Sequence, residues 1–292
     1  MGKRKHARPD ELREVSKMDH DPKDSDSGDD EDLDMVNVDF EWFDPQPAHD
    51  FHGMKTLLRQ LFDVDAELFD LSALADLILS QPLLGSTVKV DGNETDPYAF
   101  LTVLNLHQHR DVPVIKALIR YVADRSQSSS ASQLRELLRA DSGSQVGLIL
   151  TERLVNVPAE VVPPMYAMLL EEISWAVEEK EPYAFSHYLV LSKTYLEVPS
   201  ALDQEDHPAP KKAKKASSDG ELFYFHPEDE VLHRHAQAHA TYAYAKEKDE
   251  GHSDSKRAFQ ELGIKPQGHV ILIEASKFEG AVKAVERFLQ PS

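Results

Sequence analysis

No cysteine occurs among the 292 residues, which excludes disulfides, thiolate nucleophiles and Cys-ligated zinc or iron–sulfur sites. Long apolar runs are missing too, and none approaches the roughly 20 residues that span a bilayer. The opening MGKRKHARPDELRE is basic without an apolar stretch, so it does not read as a signal peptide. Glycine is scarce, with twelve residues placed mostly singly, and neither a Walker-type loop nor GxGxxG is present. No segment therefore brings backbone N–H groups close around a phosphate. Positive charge is also short: 32 Lys and Arg face 52 Asp and Glu, a formal net charge of −20 at pH 7. Binding to naked nucleic acid needs clustered cations, and this balance argues against it. These absences point to a soluble intracellular protein with neither a membrane nor a nucleic acid as direct partner.

What is present begins with an unevenly placed acidic excess. Residues 19–44 hold twelve Asp and Glu against one Lys, a contribution of −11. Residues 1–18 contribute +3, leaving −12 for residues 45–292. The stretch has few apolar groups before Met35, so it cannot offset its ordering entropy, and residues 1–35 are expected to be a disordered tail. Two readings of the acidic block stay open. It is a solubilising tail, or a docking arm for a basic partner with Asp29, Asp30, Glu31, Asp32 and Asp34 at its centre. A second irregular stretch, DQEDHPAPKKAKKASSDG, reads as a flexible basic insertion over residues 203–220. Its Lys211, Lys212, Lys214 and Lys215, together with Lys3, Arg4 and Lys5, are candidate import signals; the alternative is a solvated loop that happens to be basic.

Between these stretches the periodicity alternates between helix and strand. Asp50 is placed to cap a helix through Phe62, and Ser72 a second that stops at Pro82. Ser86–Val90 and Phe100–Leu106 read as strands joined by Asp91-Gly92-Asn93, which suits antiparallel pairing. Asp111 and Pro113 open a helix, Leu134–Arg139 is a short one, and Val146–Leu150 is a buried strand. Pro163 and Pro164 start the strongest helix, with Met165, Leu169, Ile173, Trp175 and Val177 mostly inward. Tyr183–Val198 and His269–Glu274 are strands, Leu222–Phe225 and part of Ala238–Ala245 look extended, and Phe278–Leu289 closes the chain as a helix. The expectation is α/β: one domain, residues 36–290, with a mixed, largely antiparallel sheet of six or seven strands flanked by helices.

Catalytic patterns are hard to find. His235 and His239 stand four apart with His233 nearby, a spacing that would suit a metal on one helical face. There is no HExxH and no carboxylate at that spacing, and the stretch also reads as strand, so solvent-facing imidazoles are the simpler reading. His107 and His109 flank a strand end and are too few for a site. Ser144 in GSQVG lies one position early for the GxSxG elbow. Trp42 and Phe43 read either as an aromatic anchor or, from the alternation in VNVDFEWF, as the first core strand. No catalytic, cofactor-binding or metal-ligating residue is assigned, and the protein is expected not to be an enzyme and to need no cofactor.

Residues 145–179, QVGLILTERLVNVPAEVVPPMYAMLLEEISWAVEE, resemble the signature region of the BCCIP family. VNVDFEWFDPQPAHDFHGMKTLLRQLF (36–62) resembles the family's opening behind its acidic tail, and FLTVLNL and the Tyr183–Val198 strand follow in the expected order. The likeness covers roughly residues 36–289, with the Lys211 insertion similar to fungal members. The resemblance implies a mixed sheet like that of the GCN-five-related acetyltransferases, without their activity. It also implies a shuttling protein of nucleus and cytoplasm, mainly nuclear, that chaperones a basic large-subunit ribosomal protein of the uL-fourteen type. Nuclear transport receptors and a lipid-kinase export cargo are further implied partners. Animal members imply an alternative role as a scaffold for repair and cell-cycle proteins. The acetyltransferases hold their cofactor on a glycine-rich loop between a central strand and a helix; the corresponding HQHRDVP, between Phe100–Leu106 and Val114–Val122, has no glycine and loses a donor at Pro113. An atypical acyltransferase is therefore the weakest alternative.

Overall fold

Two apolar runs decide the centre of the fold. All of FLTVLNL but its last Leu lies in β3 (Ala99–Asn105) and VGLIL opens β4 (Val146–Arg153), and nearly every residue of both strands is buried. Such runs lack the alternation of a half-exposed strand because both faces of the sheet are covered. In the computed structural model, which describes residues 38–81, 84–127, 131–197, 222–245 and 263–290, helices supply that cover on either side. The expected disordered tail and the basic insertion lie outside the described residues, as does Pro82.

The chain runs β1 (Glu41–Phe43), α1 (Phe51–Phe62), α2 (Leu71–Leu79), β2 (Ser86–Lys89), β3, α3 (Pro113–Arg125), α4 (Ser132–Leu137) and β4. It continues with α5 (Val162–Glu178), β5 (His187–Glu197), β6 (Phe223–Tyr224), α6 (Pro227–Arg234), β7 (Ala238–Tyr242), β8 (Ile264–Glu274) and α7 (Ala275–Leu289). The strand order is β1-β2-β3-β4-β5-β8-β7, with β6 pairing β5 off this path. Among the described residues β4 and β5 form the one parallel pair, and α5 is the crossover that such a pair requires. All other pairs are antiparallel. Successive residues point to opposite layers, as the period of two demands. Leu148, Leu150, Leu189, Leu191, Val270 and Leu272 join α1–α4 in one core. Ile149, Tyr188, Val190, Ile271 and Ile273 join α5, α6 and α7 in the other.

The mixed α/β expectation holds, with eight strands among the described residues in place of six or seven. Two of the expected stretches differ in length from their strands. β6 has two residues, and β8 starts at Ile264, five before the stretch that the sequence marks. Pro266 and Gly268 hide that first half. β7 pairs β8 only over Gly268–Leu272, so Pro266 sits where one side of the strand is open and proline is tolerated. The Asp91-Gly92 turn is as expected, with φ of 63° and 96°.

Both expected helix caps are corrected. Asp50 precedes α1, but its side chain makes no cap hydrogen bond. Instead Oδ1 meets Lys89 Nζ at 2.6 Å, both side chains fully buried, and Oδ2 accepts from Gln46 N at 2.6 Å. A charge-assisted bond to a buried ammonium is stronger than a cap, so the carboxylate turns inward. α2 is capped not by Ser72 but by Asp70, whose Oδ1 accepts from Ala73 N at 3.0 Å.

Candidate functional site

β4 and β5 share register only from Val146 with His187 to Ile149 with Val190, and beyond that they part. The gap between separating parallel strands is where open α/β sheets usually admit ligands. Here the chain fills it itself. Glu152, three residues past the last β4 pair, meets Lys193 Nζ of β5 at 2.6 Å and His226 Nε2 at 2.7 Å. Lys193 also donates to the Gln60 carbonyl of α1 at 3.1 Å. Arg153 grips Glu228 through both terminal guanidinium nitrogens. Ser192 Oγ donates to Asp229 Oδ2 at 2.7 Å. β6 takes the vacated place beside β5 at Thr194 and Tyr195, and α6 follows directly with Glu228 and Asp229 in its first turn.

Burial and neighbouring charge set these carboxylates apart. Burial raises the Glu152 pKa, but the His226 hydrogen bond and the Lys193 charge outweigh it and hold the group at about 2. Asp229 is pushed up to about 7 by burial and by Glu228, against the pull of His226, Ser192 and Arg153. The native state thus holds a proton on Asp229 that the unfolded chain releases near the ordinary value of 3.8. Stability through this group is therefore highest below pH 4 and falls as pH rises to about 7. Asp229→Asn is expected to be more stable than the wild type at pH 8 by about 1–3 kcal/mol, the two converging near pH 4. Denaturant titrations across that range measure the difference, and equal slopes would refute it.

A different arrangement faces outward on α5. Met165, Tyr166, Leu169, Ile173 and Ala176 are buried. Trp175 and Val177, expected to be inward, are instead 44% and 41% exposed. For Trp175 the phase explains it, since two residues beyond Ile173 is a turn of about 200° to the opposite face. Glu171 lies four positions before Trp175, with Glu178 three and Glu179 four after it, and all three are exposed. Those spacings put them beside the indole on the helix surface. Glu172 is the exception in this acidic run; it turns inward and accepts from Gly85 N at 2.7 Å. The outcome is an exposed indole bordered by carboxylates, a surface suited to Arg and Lys through cation–π contact and ion pairing.

Trp42 and Phe43 follow the core-strand reading. Both lie in β1, and the Trp42 indole N–H donates to the Val161 carbonyl at 3.2 Å. His107 follows β3 in a turn where its backbone N–H donates to Asn105 Oδ1 at 2.9 Å. His235 and His239 share no helical face, because α6 ends at Arg234 and β7 starts at Ala238. His233 and His239 instead converge with His269 of β8. Lys3, Arg4, Lys5, Asp29, Asp30, Glu31, Asp32, Asp34, Lys211, Lys212, Lys214 and Lys215 lie outside the described residues.

A family model described as BCCIP matches residues 35–232, more than half of the chain. The chain belongs to the BCCIP family. The protein bcp1 of Aspergillus oryzae is 59% identical over 292 residues, 100% of this chain and 99% of that protein. The bcp1 of Schizosaccharomyces pombe is 53% identical over 255 residues, 86% of this chain and 89% of its own. Among solved structures, the crystal structure of BCP1 from Saccharomyces cerevisiae has a TM-score of 0.60 at 25% identity, covering 89% of this chain and 94% of that one. The BCCIP match takes in the β4–β5 network and the Trp175 face but ends at Leu232, before the three converging histidines. The BCCIP resemblance read in residues 36–62 and 145–179 therefore falls within the matched span.

Proposed function

We propose that the protein is a non-enzymatic binding protein, a chaperone and transport adaptor for a basic large-subunit ribosomal protein of the uL-fourteen type. The observation that carries this reading is Trp175, 44% exposed on α5 and bordered by Glu171, Glu178 and Glu179. An aromatic anchor with an acidic border suits a client rich in Lys and Arg, and the net charge of −20 adds a long-range attraction. Shuttling between nucleus and cytoplasm is part of the proposal, with Lys3–Lys5 and Lys211–Lys215 read by transport receptors and a lipid kinase as a further export cargo.

The proposed fold relation is to the GCN-five-related acetyltransferases. The strand order and the β4–β5 parallel pair support it, and under that proposal the comparable loop is residues 154–161 between β4 and α5 rather than HQHRDVP. That loop, LVNVPAEV, also has no glycine, and Pro163 and Pro164 remove donors from the first turn of α5. With the adjoining gap filled by Glu152, Lys193, Arg153 and Glu228, binding rather than acyl transfer is the better reading.

Titration of the full chain with the purified ribosomal protein over a salt series tests the proposal. Affinity is expected to fall with salt, because exposed charge pairs are screened beyond about 8 Å at physiological ionic strength. Deleting residues 19–34 is expected to slow association and flatten that dependence while leaving a specific complex. Absence of any complex at low salt would refute the chaperone reading.

A further inference from the structure

Three elements each bring one histidine to the same place. His233 comes from the last turn of α6, His239 from β7 and His269 from β8. Their ring centroids are 4.3 Å (His233 to His239), 5.1 Å (His233 to His269) and 5.9 Å (His239 to His269) apart. One nitrogen from each lies within 4.8 Å of the others. We propose that His233, His239 and His269 form a binding site for a zinc ion.

Zinc takes imidazole nitrogens at about 2.0–2.1 Å in a tetrahedron, which separates them by about 3.4 Å. His233 Nδ1 and His269 Nε2 are already 3.0 Å apart, and half-buried His239 brings a ring nitrogen to the same cluster. His269 is fixed from behind, with Thr241 Oγ1 2.7 Å from its Nδ1. When that Nδ1 carries the proton, the Nε2 lone pair points toward His233; such an outer contact sets the tautomer of a metal ligand. Tyr224 packs edge-on against His233 and His269 at 5.8 and 5.6 Å and limits their swing. The contact between His233 and His269 needs one proton between two rings. A zinc ion replaces that proton and accepts both lone pairs, with the His233 proton held on Nε2.

The rings are also suited to the ion electrically. Burial, then His233 and His239, lowers the His269 pKa to about 3, and burial with His239 lowers that of His233. Neutral imidazoles suit zinc, whereas magnesium prefers oxygen and water. The position defines the role: the ion would clamp α6 and the edge strand β7 onto β8.

The test is calorimetry of the metal-free full chain with zinc chloride, followed by cobalt(II) absorption spectroscopy. One zinc equivalent is expected with micromolar or tighter affinity, unaffected by excess magnesium, and cobalt should give the strong visible bands of a tetrahedral site. His239→Ala and His233→Ala should each weaken zinc at least about tenfold, and the double variant should abolish the cobalt bands, while His235→Ala leaves both unchanged. Because a variant can misfold, zinc-induced shifts of the three imidazole resonances are read in the wild type as well. Zinc binding that survives both single variants, shifts at other histidines only, or binding no tighter than magnesium would overturn the proposal.

Discussion

Glu152→Ala should destabilise the protein by about 3–5 kcal/mol, the cost of leaving a buried charge without its partner. Lys193 would keep its bond to the Gln60 carbonyl and its place over the Phe225 ring but lose its paired carboxylate, and His226 would lose its acceptor. For a domain of this size the melting temperature should fall by roughly 10 °C. The double variant Glu152→Met, Lys193→Met should recover most of the loss, because two apolar side chains fill the gap without a lone ammonium. Urea denaturation of the three proteins measures this. A loss under about 1 kcal/mol in the single variant would mean that water reaches Lys193 and that the gap is open.

The second large effect concerns the proposed client. Trp175→Ala should weaken the complex by about 2 kcal/mol or more, roughly 30-fold, mainly through faster dissociation. Its melting temperature should stay close to that of the wild type, since the indole is 44% exposed and lies away from the buried face of α5. Glu171→Lys with Glu178→Lys should instead slow association, because exposed charges act on encounter more than on the bound state. Surface plasmon resonance separates the two rates. Unchanged affinity in the Trp175 variant would place the client elsewhere.

Much of the fold could be read from local pattern. The turn at Asp91-Gly92, the proline start of α5 and the apolar strands β3 and β4 each follow from a few neighbouring residues. The candidate sites were harder, because their partners are distant in sequence. Glu152, Lys193 and Glu228 look like ordinary charges until the parting of β4 and β5 brings them together; the available signal was a charge inside an otherwise apolar strand, as in LTER and VLSKT. His269 gave a similar signal as the polar start of HVILIE, but only the sheet register sets it across from Thr241 and near His239. Trp175 was a matter of helical phase: counting from Ile173 puts it outside, whereas counting apolar residues alone puts it inside.

The pairing of β5 with β8 has a consequence for synthesis. All eleven residues of β5, from His187 to Glu197, bond to β8 along one edge. Between the end of β5 and the end of β8 the ribosome adds 77 residues, roughly 4–15 s at about 5–20 residues per second. Throughout that interval the strand at the middle of the sheet has an unpaired edge, carrying Leu189, Val190 and Leu191. A growing chain in that state is a template for pairing with its neighbours on the same messenger. A protein proposed here to shield a basic client would thus itself spend its first seconds in need of shelter, until its last strand arrives.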